Sequence, residues 1–148
     1  MSALPLSQKP IVMPSYPHML AEDSEVWTAY LKDPIKPISE VWYDLHVGGP
    51  VSAVGGPESL EGRVAAGVTR KRIDVVAHVG VGYWVIEIKP QGSMLALGQA
   101  LCYSRLFDAE YSPGGAVIPV VICWKCDPDL VDDFEYNGVT VIEVASPA

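Results

Sequence analysis

The sequence predicts a single α/β domain, an antiparallel meander that passes into βαβ crossovers. Three observations carry this. Helix-period and strand-like segments follow one another in the order α-β-(loop)-β-β-α-β-α-β, with no internal repeat. Gly80-Val81-Gly82 separates two strand-like runs as a hairpin turn would. AVIPVVICW, over 116–124, is an unbroken apolar run of strand length, as expected for a buried central strand. At 148 residues the chain is the size of one domain.

Residues 1–18 read as an extended arm, because Pro5, Pro10, Pro14 and Pro17 preclude a helix. Such an arm is ordered only if it packs against its own domain or a neighbour. The domain proper spans 19–148. A helix is expected over 19–32, with Leu20, Val26, Trp27, Tyr30 and Leu31 near one face, Asp23 or Ser24 as its cap, and Asp33-Pro34 ending it. In the strand 38–47, Val41, Tyr43, Leu45 and Val47 alternate. Glycine-rich sequence follows, up to Gly62. The hairpin strands are 70–79 and 82–89, and Pro90-Gln91-Gly92 breaks the second. Ser93 opens the best helix in the chain, 93–109. The apolar strand comes next, then a short acidic helix from Asp127-Pro128 to Tyr136, and the last strand, VTVIEV.

Composition narrows the class. With 49% apolar and 19% charged residues, the chain is neither disordered, collagen-like nor a coiled coil. No stretch reaches the ~18 apolar residues of a membrane span, so no membrane association is expected. The N-terminus lacks a basic region followed by an apolar core, so no secretory signal is expected. Cys102, Cys123 and Cys126 are too few for a disulfide scaffold and are expected to be reduced, inside a cell. The net charge of −8 argues at first against a nucleic-acid partner. Yet six acids and no Lys or Arg lie between Cys126 and Ala148, which leaves residues 1–125 at only −2. The acidity is concentrated on 127–135, a candidate partner face.

The hairpin carries the chemistry. Asp74 sits mid-strand in KRIDVV, and Glu87-Ile88-Lys89 follows on the paired strand, with Glu87 and Lys89 sharing one face. Charges embedded in an apolar hairpin cost several kcal/mol unless paired or bound to metal. Two carboxylates beside one ammonium suit an oxygen-preferring divalent cation.

These residues resemble the PD-(D/E)XK nuclease superfamily, whose pattern is an Asp on one strand, Glu-X-Lys on the next, and then a helix. Here Ile73 stands in place of the Pro. Gln99-Ala-Leu-Cys-Tyr103 is similar to the Gln-X₃-Tyr element of RecB-type members, and its i,i+4 spacing puts both side chains on one helical face. The resemblance covers about residues 19–124. It implies a restriction-endonuclease-like core (α-β-β-β-α-β), a central mixed sheet flanked by helices, to which the Pro-rich arm and a C-terminal α-β extension are added. It further implies Mg²⁺ (or Mn²⁺) held by Asp74, Glu87 and the backbone carbonyl of Ile88. Such families often add an acid from the first helix, here Glu25 in preference to Glu22. Lys89 would position the attacking water or stabilise phosphorane charge, and Gln99 and Tyr103 would orient substrate or the metal shell. The implied reaction is Mg²⁺-dependent hydrolysis of DNA.

Other signals are weaker. Arg63, Arg70, Lys71 and Arg72 lead into Asp74 and form a candidate phosphate-contacting patch, or else a solvated strand end. Cys123-Trp-Lys-Cys126 has metal-knuckle spacing but too few companions, and buried thiols are the expectation. His78 is expected in the core or at an edge rather than in the site. The four tryptophans, one per element, read as core. The chain also resembles short bacteriophage-encoded proteins, which implies a second reading. In that reading it is a virion neck, connector or tail component that reuses the fold, with the arm 1–18 and the acidic face 127–135 meeting protein partners. The bacterial host cytoplasm is expected for the nuclease and the virion for the assembly protein.

Overall fold

A computed structural model describes residues 2–49 and 70–147. Helix α1 (Ala21–Lys32) is followed by strands β1 (Glu40–Val47), β2 (Lys71–Val79) and β3 (Gly82–Ile88). A two-residue strand β4 (Gln91–Gly92) precedes helix α2 (Met94–Tyr111) and strand β5 (Val117–Cys123). Then come β6 (Lys125–Cys126), a 3₁₀ turn (Pro128–Leu130), helix α3 (Val131–Tyr136) and β7 (Thr140–Glu143). The order expected from periodicity is recovered, and the glycine-rich stretch from residue 50 lies outside the described residues. Five strands form one mixed sheet in the order β1-β2-β3-β5-β7. The pairs β1–β2 and β2–β3 are antiparallel, and β3–β5 and β5–β7 are parallel.

The two long helices cover opposite faces of this sheet. Val26, Trp27 and Tyr30 of α1 pack on Val41, Val75, Ala77, Trp84, Ile86 and Ile122. Trp27 is fully buried, stacks on Tyr30 at 5.6 Å and donates its indole N–H to the Tyr43 hydroxyl at 2.9 Å. This is how a buried tryptophan meets its polar requirement. On the other face Phe107 and Tyr111 of α2 pack on Trp42, Leu45, Val47, Ile73, Val76 and Val85. Helix α2 turns Ala96, Ala100, Ser104, Phe107 and Tyr111 inward. The small residues come first, so its N-terminal half lies close to the sheet. Ser93 caps it by accepting from the Ala96 N–H at 3.3 Å.

Three local readings change. The N-cap of α1 is Leu20, with no side-chain cap bond, and Asp23 and Ser24 are buried in the first turn instead. Gln91–Gly92, expected only to break the chain, pairs in parallel with Lys125–Cys126. A Cβ on Gly92 would stand 3.1 Å from Cys126 Cα and 3.4 Å from Cys123 Sγ, so a side chain here would push the Cys126 backbone away by a few tenths of an ångström. The third change is on β1. Val41 and Tyr43 pack on the α1 side, whereas Leu45 and Val47 pack on the α2 side. Strict alternation fails because Asp44 has φ +53° and turns the strand over. Strand β2 slips at the same level, with Ile73 on the α2 side and Val75 on the α1 side. Tyr43 faces Val75 and Leu45 faces Ile73, so Asp44 and Asp74 stand opposite each other at the slip.

The arm is bound to its own domain. Gln8 and Val41 exchange backbone hydrogen bonds at 2.8 Å each way. Trp42 Nε1 donates to Pro5 O at 2.8 Å and Ser7 Oγ to Glu40 Oε2 at 2.8 Å, while Tyr16 is buried with its hydroxyl 2.7 Å from Thr28 Oγ1. Pro5 and Pro10 flank Gln8 and have no N–H, which limits the pairing to one bridge. That bridge covers the outer edge of β1.

Candidate active site

The site forms where β2 and β3 meet the slipped level. Val75 faces Ile86, which brings Asp74 level with Glu87 across the hairpin. Asp74 Oδ2 accepts the Ile88 N–H at 2.9 Å, so the carboxylate takes the place of a ladder bond. Ile88 packs on the α1 side. Strand alternation therefore sends Glu87 toward α2, where Gln99 and Tyr103 sit one turn apart. Lys89 follows the end of β3, its backbone N–H bonded to Ile122 O at 3.1 Å.

Burial dominates the electrostatics. Glu87 is 2% exposed, and its carboxyl is pushed well up, first by desolvation and then by the Asp74 charge. Asp74 is also raised by desolvation, against the Ile88 N–H and the Lys89 ammonium, which favour its charged form. Tyr103 is raised by desolvation and by the Glu87 charge, against the neighbouring Gln99 side chain, which favours its charged form. Two buried acceptor oxygens in this group, Glu87 Oε1 and Gln99 Oε1, have no hydrogen-bond partner. A buried acceptor left in that condition costs about 1–3 kcal/mol.

The acid that α1 contributes is Asp23, not Glu25. Asp23 is buried and raised by desolvation, and the Lys89 and Asp74 charges both act on it. Glu25 is exposed and lines a separate 790 Å³ hollow between α1, the arm and the C-terminal tail; Glu22 is also exposed. Two residues apart on a helix is about 200°, so one helix cannot aim both acids at the same site. In the sequence Asp23 reads as a cap for α1 rather than as a site acid.

Among the described residues, no three His, Cys, Asp or Glu side chains group closely enough to hold a metal by themselves. The resemblance asks for less: Asp74, Glu87, the Ile88 carbonyl and solvent. Mg²⁺ is commonly held by one or two carboxylates and keeps several waters. The two adjacent carboxyls and the unpartnered Glu87 Oε1 fit such an ion.

The basic run divides. Arg70 forms a two-pronged pair with Glu110, Nη2 to Oε1 at 2.8 Å and to Oε2 at 2.7 Å, and its Nε donates to Gly48 O at 2.8 Å. Its charge is matched within the chain, so it ties β2 to α2 rather than offering a phosphate contact. Arg70→Ala is expected to cost about 1–3 kcal/mol of stability in urea unfolding. Lys71 is exposed, Arg72 lies in a polar cluster with Asp44, and Arg63 is outside the described residues. Cys123 and Cys126 are buried and reduced, and burial pushes the Cys123 thiol up to about 12. His78 stacks on Tyr83 at 4.8 Å and contacts Ser39, away from Asp74. Trp27, Trp42 and Trp84 are buried, as core residues. Asp129, Asp132, Asp133 and Glu135 are exposed.

No family model, curated protein or solved structure matches this chain. No helix among the described residues is long and apolar enough to cross a membrane.

Proposed function

We propose that the chain is a divalent-cation-dependent nuclease that hydrolyses DNA phosphodiesters at Asp74, Glu87 and Lys89. The observation that carries this is the buried Glu87 Oε1, an acceptor without a donor, beside a second raised carboxyl and one ammonium. A purely structural network would be expected to satisfy its own oxygens. The antiparallel β1–β2–β3 meander, its parallel continuation through β5, and the placement of Asp74, Glu87-X-Lys89 and Gln99-X₃-Tyr103 support a restriction-endonuclease-like core.

Asp74, Glu87 and the Ile88 carbonyl would hold Mg²⁺ or Mn²⁺, which when bound supplies Lewis-acid polarisation of a phosphoryl oxygen and a water of lowered pKa. Lys89 orients the attacking water and offsets negative charge gathering on the phosphoryl oxygens. The Asp23 carboxyl and the Lys89 ammonium act on each other through their charges from the α1 side. Gln99 and Tyr103, one turn apart on α2, offer an amide oxygen and a hydroxyl to substrate or to bound water. The alternative, a virion assembly component, drew on an arm free to clasp a neighbour; here Gln8, Pro5 and Tyr16 are engaged by the arm's own domain.

The test is nicking of supercoiled plasmid. The chain should convert it to open circles in Mg²⁺ or Mn²⁺ and not in EDTA, and Asp74→Ala should abolish the conversion. No cleavage with any divalent ion would contradict the proposal.

A further inference from the structure

A hollow of 520 Å³ opens between α3 and β7. Two sequence patterns build it. Val131, Phe134 and Glu135 lie three and four residues apart on α3, so they share one helical face. Val139, Val141 and Glu143 alternate into and along β7, so they share one strand face. All six line the hollow. Ile142, between them, faces the core beneath α1. Phe134 and Val139 are buried, whereas Val131 is 50% exposed, so the apolar lining opens to solvent at α3. Strand β7 is the outermost of the five, and no further strand pairs with it among the described residues. The opposite edge, β1, is covered by Gln8 of the arm.

The surroundings of the hollow are acidic and uncompensated. Six acids and no Lys or Arg lie between Cys126 and Ala148. Two of the six serve the fold. Glu143 Oε2 accepts the Cys126 N–H at 2.7 Å, and Asp127 Oδ1 accepts the Asp129 N–H at 3.0 Å. The carboxylates of Asp129, Asp132, Asp133 and Glu135 are exposed and enter no hydrogen bond or ion pair among the described residues. Glu135 belongs to the hollow itself, and Asp132 adjoins Val131 at its opening. Like charges gathered without counter-charges repel one another, so this arrangement contributes nothing to the stability of the domain.

We propose that this hollow docks a segment of a protein partner that carries one or two bulky apolar side chains between lysines or arginines. The apolar side chains enter between α3 and β7, and the basic ones meet Glu135, Asp132 and Asp133. Each part has its own task. An apolar anchor in a pocket supplies most of the binding energy of such a contact. Complementary charge around it speeds encounter and selects the partner. Nucleic acid and an anionic lipid surface have the same sign as these acids and are repelled by them. A small molecule would fill the hollow but leave the acids outside it unmatched. Strand β5 separates β7 from β3, so the docking face is distinct from the Asp74–Glu87 site and does not depend on the nuclease reading.

The experiment is binding of the full chain to a dye-labelled peptide of about ten residues, two leucines flanked by lysines and arginines, followed by fluorescence anisotropy in EDTA without DNA. Two control peptides carry Glu in place of the basic residues or Ser in place of the leucines. Each should bind at least about 10-fold more weakly than the first, and affinity for the first should fall as salt rises. Glu135→Lys should weaken binding about 10-fold, and Val131→Ser about 3-fold. Asp108→Lys, exposed on α2, makes the same charge change as Glu135→Lys and should cost less than about 2-fold. Val131 and Glu135 are exposed, so their variants leave the core intact. Selective loss in these two variants supports the docking face, whether or not the chain nicks plasmid. No binding of the basic peptide, equal binding of either control peptide, or an equal loss in Asp108→Lys overturns it.

Discussion

Lys89→Ala is expected to lower the rate of plasmid nicking by about 100- to 1000-fold, the usual loss when one electrostatic stabiliser leaves a buried site. The reason lies in how little positive charge the site contains. Asp23, Asp74 and Glu87 are all raised by desolvation, and the Lys89 charge opposes that rise at each of them. Its removal leaves three desolvated carboxyls with no ammonium among them, so they hold their protons to higher pH. The variant should therefore move the rising limb of the pH–rate profile upward as well as lower its plateau. Lys89→Arg keeps the charge but spreads it over a planar fork, and should recover the pH profile better than the rate. A Lys89→Ala enzyme with wild-type rate and profile would show that the ammonium is only structural.

Glu87→Gln is expected to stabilise the metal-free chain at neutral pH and to abolish cleavage. The sign follows from the raised carboxyls. The unfolded chain loses these protons in the ordinary carboxylate range, near 4. The folded chain keeps them to higher pH and so binds more protons above that range. Stability is then fully present below the ordinary range and falls as pH rises through the raised values. Glu87 is the most buried of the three acids and has an unpartnered oxygen. Replacing a buried charge by a neutral isostere should add about 1–3 kcal/mol near pH 8, a Tm rise of several degrees for a domain this size. Thermal melts from pH 4 to 9 should show wild-type stability falling toward high pH more steeply than that of the variant. Parallel curves would mean that Glu87 does not carry the burial cost.

Much of the fold was legible because hydrophobic period fixes elements of this length. The hairpin, α2 and the apolar strand β5 lie where their patterns put them. What was not legible involved single residues in unusual backbone. Nothing in the letters Tyr43-Asp44-Leu45 announces a left-handed aspartate, yet that residue turns over half of β1 and invalidates the simple alternation. The site was readable through Asp74, Glu87 and Lys89 because charges embedded in apolar strands demand an explanation. Asp23 and Glu25 are both acids of the first helix, and the rotation that buries Asp23 and exposes Glu25 depends on where α1 begins. Arg70 looked like its basic neighbours, and only its partner Glu110, forty residues away, shows that its charge is matched. The arm's proline spacing is compatible with its own sheet or another chain, and the Gln8–Val41 bridge places it on its own sheet.

The central claim is that Asp74 and Glu87 form a site for one divalent cation, and the most direct measurement is titration of Mn²⁺ into the metal-free chain, followed by calorimetry. One site is expected in the wild type, with protons released on binding because Glu87 must ionise, and no detectable site in Glu87→Gln or Asp74→Asn. Absence of binding in the wild type, or binding of equal strength in both variants, would contradict it.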